Sequence, residues 1–371
     1  MLTLARFWSG LQATLWAHLE LCLDEPLTEE HKRVAEILEV VRVEEHVAAP
    51  VSGREGRPPC SRQALARAFV VKAVCNLPTT EALIALLQGD RNLRKICGFA
   101  PKRKVPSPTT FSRACDEFAV SRLGNRVHEA LVATHLQDTL VGHISRDATE
   151  IVAREKPAKK AETQPAPEPA TPACEAPQGR GKKQRKRKPQ APSRMPRQMA
   201  QSGKEGLAEL PTACDKGRKN NSKGFSTTWT GYKLHLDVND AGLPLLAATT
   251  SASLHDSQAA IPMAKITAGR VTALYEVMDA AYAAEPIREV CRRLGHVPII
   301  EPHPLQREKK PWDPAQKRRF NERTAVERAY SRLKDEFGAR FVRVRGHAKV
   351  HSHLMFGVLA LFADALIKLV T

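Results

Sequence analysis

Apolar residues recur at helical spacing through the first 138 residues, and short polar turns separate the runs. Thr28, followed by two glutamates, predicts the start of one helix, and Ser61 predicts the start of another. Thr79 opens a third predicted helix, which we expect to end at Gly98. The pattern therefore predicts an all-helical region over residues 1–138.

Strand patterns begin after residue 138. An apolar run over 140–152 predicts a first strand, and Tyr232 to Val238 alternate between apolar and polar residues, which is the period of a half-buried strand. The later segments are predicted in this order: a strand over 243–253, a helix over 256–268, a strand ending near Asp279, a helix over 284–294, a strand over 297–301 and a helix over 315–337. Three strands followed by helix, strand, helix, strand and helix predict an α/β fold of the ribonuclease-H-like type, with helices flanking a mixed five-stranded sheet.

Residues 156–211 interrupt this predicted domain, which spans 139–371. They contain 10 of the 26 prolines and a basic block over 180–188. Such a composition cannot bury enough apolar surface to offset the entropy lost on ordering. We therefore predict a disordered tether whose removal leaves the domain folded.

The net charge of +18 indicates an anionic polymer as partner. Residues 152–223 carry 18 Lys and Arg against 7 Asp and Glu, which fits a solvated tether. Residues 305–353 carry 14 against 6 within strongly patterned structure. The second surplus therefore indicates a folded basic surface.

The cysteines and the hydropathy point to an intracellular protein. The eight cysteines include no C-x-x-C pair, so reduced thiols are expected and structural zinc is not. No apolar stretch is expected to be long enough for a membrane span. The first 25 residues are interpreted as an amphipathic helix rather than a signal peptide, which predicts a location in the cytoplasm, with the DNA.

The helical region offers a candidate DNA reader. Thr109, Thr110, Ser112 and Arg113 stand at the head of one predicted helix, after a basic turn. Short helices joined by tight turns fit a helix-turn-helix-like arrangement. A plain helical bundle with polar capping residues explains the same pattern equally well.

One face of the predicted helix over 315–337 carries a set of polar residues. Phe320, Arg323, Glu327 and Lys334 fall within about 60° of one another on a helical wheel. A separate apolar stripe is expected to face the sheet; it consists of Val326, Tyr330, Leu333 and Phe337. Taken alone, the Arg–Glu pair is a frequent surface feature of helices.

Two aspartates stand on or at the end of predicted strands. Asp147 lies inside the first strand, and Asp279 ends an apolar strand, where catalytic groups of α/β sheets collect. With Glu327 they make three carboxylates, the oxygen ligands that Mg²⁺ prefers. The trio suggests a magnesium site that handles a phosphodiester. Asp256 is a rival second aspartate, which we interpret as a helix N-cap.

These motifs resemble those of the DDE transposases of bacterial insertion sequences. In the group with the signature Tyr-x2-Arg-x3-Glu-x6-Lys, the match is Arg323, Glu327 and Lys334, with Phe320 in place of the tyrosine. The replacement removes a hydroxyl but no metal ligand. Further stretches are similar to this group: Asp147–Thr149, Trp229–His235, Ser253–Ser257, Met278–Tyr282 and Val344–Gly346.

The resemblance implies a site and a reaction. Asp147, Asp279 and Glu327 would be the catalytic residues and hold two Mg²⁺ ions, with Mn²⁺ as a substitute, while Arg323 and Lys334 would bind DNA phosphates. The implied partner is double-stranded DNA: the terminal inverted repeats of the element and the target, with a homodimer on the DNA as a possible assembly. The implied reactions are strand cleavage at the element's ends and strand transfer, in the cytoplasm at the nucleoid.

Two other functions are compatible with the same motifs. One is a catalytically inactive or domesticated DNA-binding protein of this fold, and the other is a DNA endonuclease that cuts without joining. The intact carboxylate trio favours an active enzyme. The helical region, as a reader of the element's ends, favours a transposase over a nuclease.

Overall fold

The computed structural model describes residues 26–48, 60–100, 104–157, 194–220, 225–302 and 312–370. The predicted N-terminal amphipathic helix, over residues 1–25, lies outside these ranges. So do residues 158–193 of the predicted tether.

Helices form the N-terminal region, as predicted. They are α1 (Glu29–Val41), α2 (Arg62–Val74), α3 (Thr80–Gly89), α4 (Arg91–Ile96), α5 (Pro108–Val120) and α6 (Leu123–Leu136), with a 3₁₀ turn over Val43–His46. Thr28, Ser61 and Thr79 each cap a helix through the side-chain oxygen, which confirms the predicted helix starts. The helix predicted from Thr79 to Gly98 is two helices, divided at Asp90, which caps α4. Helices α5 and α6 are divided at Arg122, which has a left-handed backbone with φ 49°.

A C-terminal helix, α13 (His347–Val370), was not among the predicted elements. It is long and apolar enough to cross a membrane, which corrects the expectation that no stretch is. However, 72% of its apolar window is buried inside the molecule, and helices α1, α2, α5 and α6 pack against it. We interpret α13 as the core helix around which the N-terminal helices assemble.

The sheet has six strands rather than the predicted five. They are β1 (Leu140–Val152), β2 (Asp215–Asn220), β3 (Ser226–Val238), β4 (Pro244–Ser251), β5 (Thr272–Met278) and β6 (Val297–Ile300). β3 pairs antiparallel with β1, β2 and β4, and β5 is parallel to both β1 and β6. The mixed order β4-β3-β1-β5-β6 is that of a ribonuclease-H-like sheet, and β2 is an addition to it. The helices of this part are α9 (Ser257–Ala268), α10 (Glu285–Arg293), α11 (Pro314–Asn321) and α12 (Thr324–Asp335).

The last part of the predicted tether is folded, which corrects its boundary. Residues 194–211 include helices α7 (Met195–Ala200) and α8 (Gly203–Ala208), which pack against α9. Lys265 of α9 donates hydrogen bonds to three carbonyls at the end of α7, those of residues 198, 199 and 201, at 2.5–2.9 Å. The carbonyls at the end of a helix have no hydrogen-bond partner within the helix. Lys265 supplies that partner for α7, a contact that the composition of the segment does not reveal.

Gly203 makes this packing possible, and it provides a test. A Cβ at Gly203 would lie 2.8 Å from both the Pro262 carbonyl oxygen and Ile266 Cγ1. We expect Gly203→Ala to lower the free energy of unfolding by about 1–3 kcal/mol, because the helices must separate. Gly89→Ala is the matched control, since a Cβ there meets nothing within 4 Å. Urea unfolding of both variants checks this, and equal stability would refute close packing at Gly203.

The helical region and the sheet share one hydrophobic cluster. The predicted boundary at 138/139 falls between the end of α6 and the start of β1. Across it, the rings of Phe69 in α2 and Phe356 in α13 stack with centroids 5.5 Å apart. The N-terminal helices are therefore packed onto the C-terminal part of the chain rather than tethered to it.

Candidate active site

The register of β1 and β5 brings two of the predicted site residues together. Arg146 in β1 pairs with Met278 in β5, and the two strands are parallel. Asp147 follows Arg146, and Asp279 follows Met278. The two aspartates therefore lie side by side, at the same level of the two parallel strands. Neighbouring residues of parallel strands point to the same face. The structure thus places Asp147 inside β1 and Asp279 directly after β5, as predicted.

Both aspartates lie in surroundings that disfavour negative charge. Burial, together with the charge of Asp279, raises the pKa of Asp147 to about 7. Burial also raises the pKa of Asp279. Each carboxylate accepts one backbone hydrogen bond, from Ala148 at 2.7 Å and from Ala281 at 2.9 Å. A cation between two such carboxylates would relieve their repulsion.

The predicted helix over 315–337 is two helices, broken at residues 322–323. The Ser145 hydroxyl of β1 donates a 2.9 Å hydrogen bond to the carbonyl of Glu322, at the break. Phe320 therefore belongs to α11, and the four signature residues do not share one continuous helix. The Phe320 ring packs edge-on against Trp312, with centroids 4.5 Å apart. The predicted apolar stripe is confirmed as buried: Val326, Tyr330 and Leu333 lie in α12, and Phe337 follows its end.

Arg323 stands between the first aspartate and the glutamate. Its guanidinium lies 2.7 Å from Glu327 Oε1 and 3.9 Å from Asp147 Oδ2. In the described ranges, no group of three or more His, Cys, Asp or Glu side chains is arranged to hold a metal ion. Glu327 is linked to Asp147 through Arg323 instead. The three predicted carboxylates offer only oxygen donors, the ligand type that hard divalent cations prefer, and in the described structure the Arg323 guanidinium is the cationic group that lies between two of them.

Lys334 is bound to β1 beyond Asp147. Its Nζ donates to Thr149 Oγ1 at 2.8 Å and to Glu150 Oε1 at 2.7 Å. Burial raises the pKa of Glu150, but the hydrogen bond and charge of Lys334, together with a backbone hydrogen bond and the charge of Lys219, lower the pKa overall. A phosphate that binds Lys334 must therefore compete with Glu150.

Tyr330 fixes α12 to the strand that carries Asp147. Its hydroxyl accepts a hydrogen bond from the Leu236 N–H at 2.9 Å and lies 2.6 Å from the Asp147 carbonyl oxygen. Tyr330 is one helical turn after Glu327, so this anchor sets the glutamate's position relative to Asp147. The pattern predicted Tyr330 as a core residue only. Its hydroxyl was the sequence feature that could have indicated this anchoring role, because a buried tyrosine hydroxyl needs a hydrogen-bond partner.

The pattern did not single out Lys219 of β2, whose charge acts on both aspartates. It is exposed, and its charge counteracts the raised pKa of both Asp147 and Asp279. β2 is held by Gly217, which lies opposite Trp229 so closely that a Cβ would meet its ring. Trp229 is a core residue: it is buried and donates to the Tyr232 carbonyl at 3.1 Å.

Asp256 does not act as the helix cap that the pattern predicted. It stands at the N-cap position of α9, but its side chain makes no capping hydrogen bond. It accepts a 2.8 Å hydrogen bond from Lys233 Nζ instead, so its charge is already paired. This pairing favours Asp279 as the second aspartate of the site. Burial lowers the pKa of His235 to about 4, and its ring forms a 2.8 Å hydrogen bond with the Thr250 hydroxyl, so it is a buried structural residue.

The comparisons with known proteins agree with the fold. Residues 21–117 match a family model described as Transposase domain (DUF772), and residues 196–363 match the Transposase DDE domain. Asp147 lies between the two matched segments, and Asp279, Arg323, Glu327 and Lys334 lie within the second. The searches of curated proteins and of solved structures gave no match.

The chain is a transposase, as the helical region, the ribonuclease-H-like sheet and both matched segments indicate. More specifically, the chain belongs to the DDE transposases of insertion sequences. These are phosphoryl-transfer enzymes that act on DNA and generally use divalent metal ions. The second match begins at residue 196, which agrees with the folded segment 194–211.

Proposed function

We propose that this transposase cleaves DNA strands at the ends of its element and joins those ends to target DNA, in a reaction that depends on Mg²⁺. The observation that carries the proposal is the β1–β5 register, which brings Asp147 and Asp279 to one level beside the Arg323–Glu327 pair. The raised pKa of both aspartates supports a role in binding a cation.

Asp147, Asp279 and Glu327 would hold the metal, as two Mg²⁺ ions or two Mn²⁺ ions. When bound, such ions activate a water or a 3′-hydroxyl for attack and stabilise charge on the leaving oxygen of a phosphodiester. Glu327 must first exchange its Arg323 partner. The side chain of Arg323 is 25% exposed, so it can turn from Glu327 to a DNA phosphate.

Three basic side chains would bind the DNA strand around the aspartates. Arg323 offers a planar fork that matches two phosphate oxygens, whereas Lys334 and Lys219 act as point charges. Lys334 lies on one side of Asp147 through its contacts with Thr149 and Glu150. Lys219 is exposed on β2, where its charge already acts on both aspartates. The Tyr-x2-Arg-x3-Glu-x6-Lys subgroup, with Phe320 at its first position, is part of this proposal.

The test combines the full chain with linear DNA that carries the inverted repeats flanking its gene. A supercoiled plasmid serves as target, with and without Mg²⁺. We expect strand cleavage at the repeat ends and joined products on the plasmid. Cleavage without joined products would identify a nuclease, and repeat binding without cleavage would identify an inactive DNA-binding protein.

The carboxylates of the site can be tested one at a time. We expect Asp279→Asn or Glu327→Gln to lower the cleavage rate on the order of 10³-fold, because each removes charge needed in the transition state. Binding of the repeat DNA should change little. Asp335→Asn is the control, since Asp335 lies on the same helix as Glu327 but pairs with Arg340 at the surface. Gel analysis of cleaved ends checks this, and normal cleavage by either site variant would exclude that residue.

A further inference from the structure

A cavity of about 660 Å³ lies between the N-terminal helices and the segment that leads into α13. Helices α2, α3 and α5 form one side, and residues 343–345 with the start of α13 form the other. Its volume is in the range of sites that bind small molecules or parts of larger ones. None of Asp147, Asp279, Arg323 and Glu327 lines it, so it is separate from the site described above.

Lys72, in α2, is a buried cation that faces this cavity. It is 7% exposed and forms no hydrogen bond or ion pair with any residue that the structure describes. Burial lowers its pKa to about 8, although the charge of Glu81 acts in the opposite direction. Keeping an unpaired ammonium group on a largely buried side chain is costly. An anionic ligand in the cavity would supply the missing partner.

Further cations surround Lys72. Arg154, Arg343, Arg345 and Lys349 also line the cavity, against one lining acid, Glu81. Lys349 is paired with Asp116 at 2.5 Å. The three arginines form no hydrogen bond or ion pair within the described ranges. The cavity therefore has a positive surplus from side chains that are free to bind a ligand.

Two helices begin at the cavity wall. The first turns of α3 and α5 contribute Thr80 and Thr109 to the lining, and the next turn of α5 contributes Ser112. Ser107, which precedes α5, makes no side-chain capping hydrogen bond. Pro108 has no N–H, and the N–H groups of Thr110 and Phe111 donate to the Ser107 carbonyl, so the Thr109 N–H is the group of this turn left for an anion. Thr109 and Ser112 belong to the group that the sequence marked as a candidate DNA reader.

We propose that this cavity binds a phosphodiester of DNA together with the nucleoside attached to it. This inference rests on the proposed function, since it takes DNA as the substrate. A phosphate would contact Lys72 and the arginines, and the rings of Phe69, Phe111 and Phe356 give the cavity an apolar wall for a sugar or base. Because both matched parts of the chain form the walls, bound DNA would span the helical region and the catalytic part.

The test uses Lys72→Met in the full chain. Fluorescence anisotropy with a labelled duplex of the repeat DNA measures affinity over a series of salt concentrations. We expect affinity to fall roughly tenfold and the salt dependence to lose about one phosphate contact. Arg345→Gln should behave similarly. Arg292→Gln is the matched control, because Arg292 is an exposed residue of α10 that pairs with Glu285; its affinity should stay within about twofold of wild type.

A thermal scan separates binding from folding. Lys72→Met should unfold at a higher temperature than wild type, since it removes a buried unpaired charge, while it binds DNA more weakly. DNA affinity equal to that of wild type or of Arg292→Gln would overturn the proposal. A second result would also overturn it: inorganic phosphate stabilises wild type but not Lys72→Met, while the two proteins bind DNA equally well. The cavity would then be a site for free phosphate rather than for DNA. Failure of the proposed function shows separately, as normal cleavage by Asp279→Asn.

Discussion

Asp147→Asn is expected to abolish DNA cleavage and, at the same time, to raise the thermal midpoint of the metal-free protein near pH 8. The pKa of Asp147 is raised from 3.8 to about 7, so the wild-type carboxylate is ionised near pH 8 in a place that disfavours charge. A group with a raised pKa stabilises the fold at low pH, and that contribution is lost as the pH rises through about 7. The difference corresponds to at most about 4 kcal/mol. Asparagine keeps the shape and removes the charge.

Thermal scans with chelator test this at two pH values. Near pH 8 the variant should exceed wild type, and at about pH 5 the difference should shrink because the wild-type carboxyl is then protonated. Mg²⁺ should raise the midpoint of wild type near pH 8 but not that of Asp147→Asn, since a ligand that binds the native state stabilises it. Asp335→Asn serves as the control. Equal stabilisation of all three proteins by Mg²⁺ would rule out Asp147 as a ligand.

Local patterns predicted most of the sheet, but not β2. β1 and β3 to β6 contain apolar runs or clear alternation, which reflect burial of one or both faces. β2 (Asp215–Asn220) is short and polar, and its place depends on Gly217 lying against Trp229. The pairing of Gly217 with Trp229 depends on the register between β2 and β3, and the sequence of β2 alone does not determine that register. Lys219 was missed for the same reason.

The helices departed from prediction where tertiary contacts override the helical pattern. The spacing of residues 315–337 predicts one helix, and the chain breaks it where Ser145, far away in sequence, binds the Glu322 carbonyl. The break moves Phe320 onto another helix than Glu327. Residues 195–208 lie next to a proline-rich stretch, and contacts with Lys265 and Pro262 order them. In both cases the deciding contact joins distant parts of the chain.

Strand position marked Asp147 and Asp279 as candidates, and helical spacing beside Arg323 and Lys334 marked Glu327; none of the three positions is distinctive alone, and it was their combination with the order of elements that predicted a site. The meeting of the two aspartates depends on the parallel register of β1 and β5. The placement of Arg323 between carboxylates could not be predicted, since the sequence showed it as an ordinary partner of Glu327. The pairing of Asp256 with Lys233 also required the structure.

Arg146→Met is expected to destabilise the protein by about 3–5 kcal/mol, although methionine suits a buried site in size and polarity. Arg146 precedes Asp147 in β1 and is fully buried. Its guanidinium binds Asp237 of β3 at 2.7 and 2.9 Å and Glu276 of β5 at 2.6 Å. It therefore ties together the three central strands directly beneath the two aspartates of the site.

The cost arises from the carboxylates that the variant leaves behind. Burial alone would raise the pKa of Glu276, but Arg146 and His296 outweigh it and hold the pKa at about 2. In Arg146→Met, the buried carboxylates of Asp237 and Glu276 lose their main partner. A triple variant that combines Arg146→Met with Asp237→Asn and Glu276→Gln also removes these two charges. The triple variant should recover part of the lost stability in urea unfolding, because replacing a whole buried ion group costs less than breaking it. If Arg146→Met is as stable as wild type, or if the triple variant is no more stable than Arg146→Met, the ion network does not hold the strands together by charge.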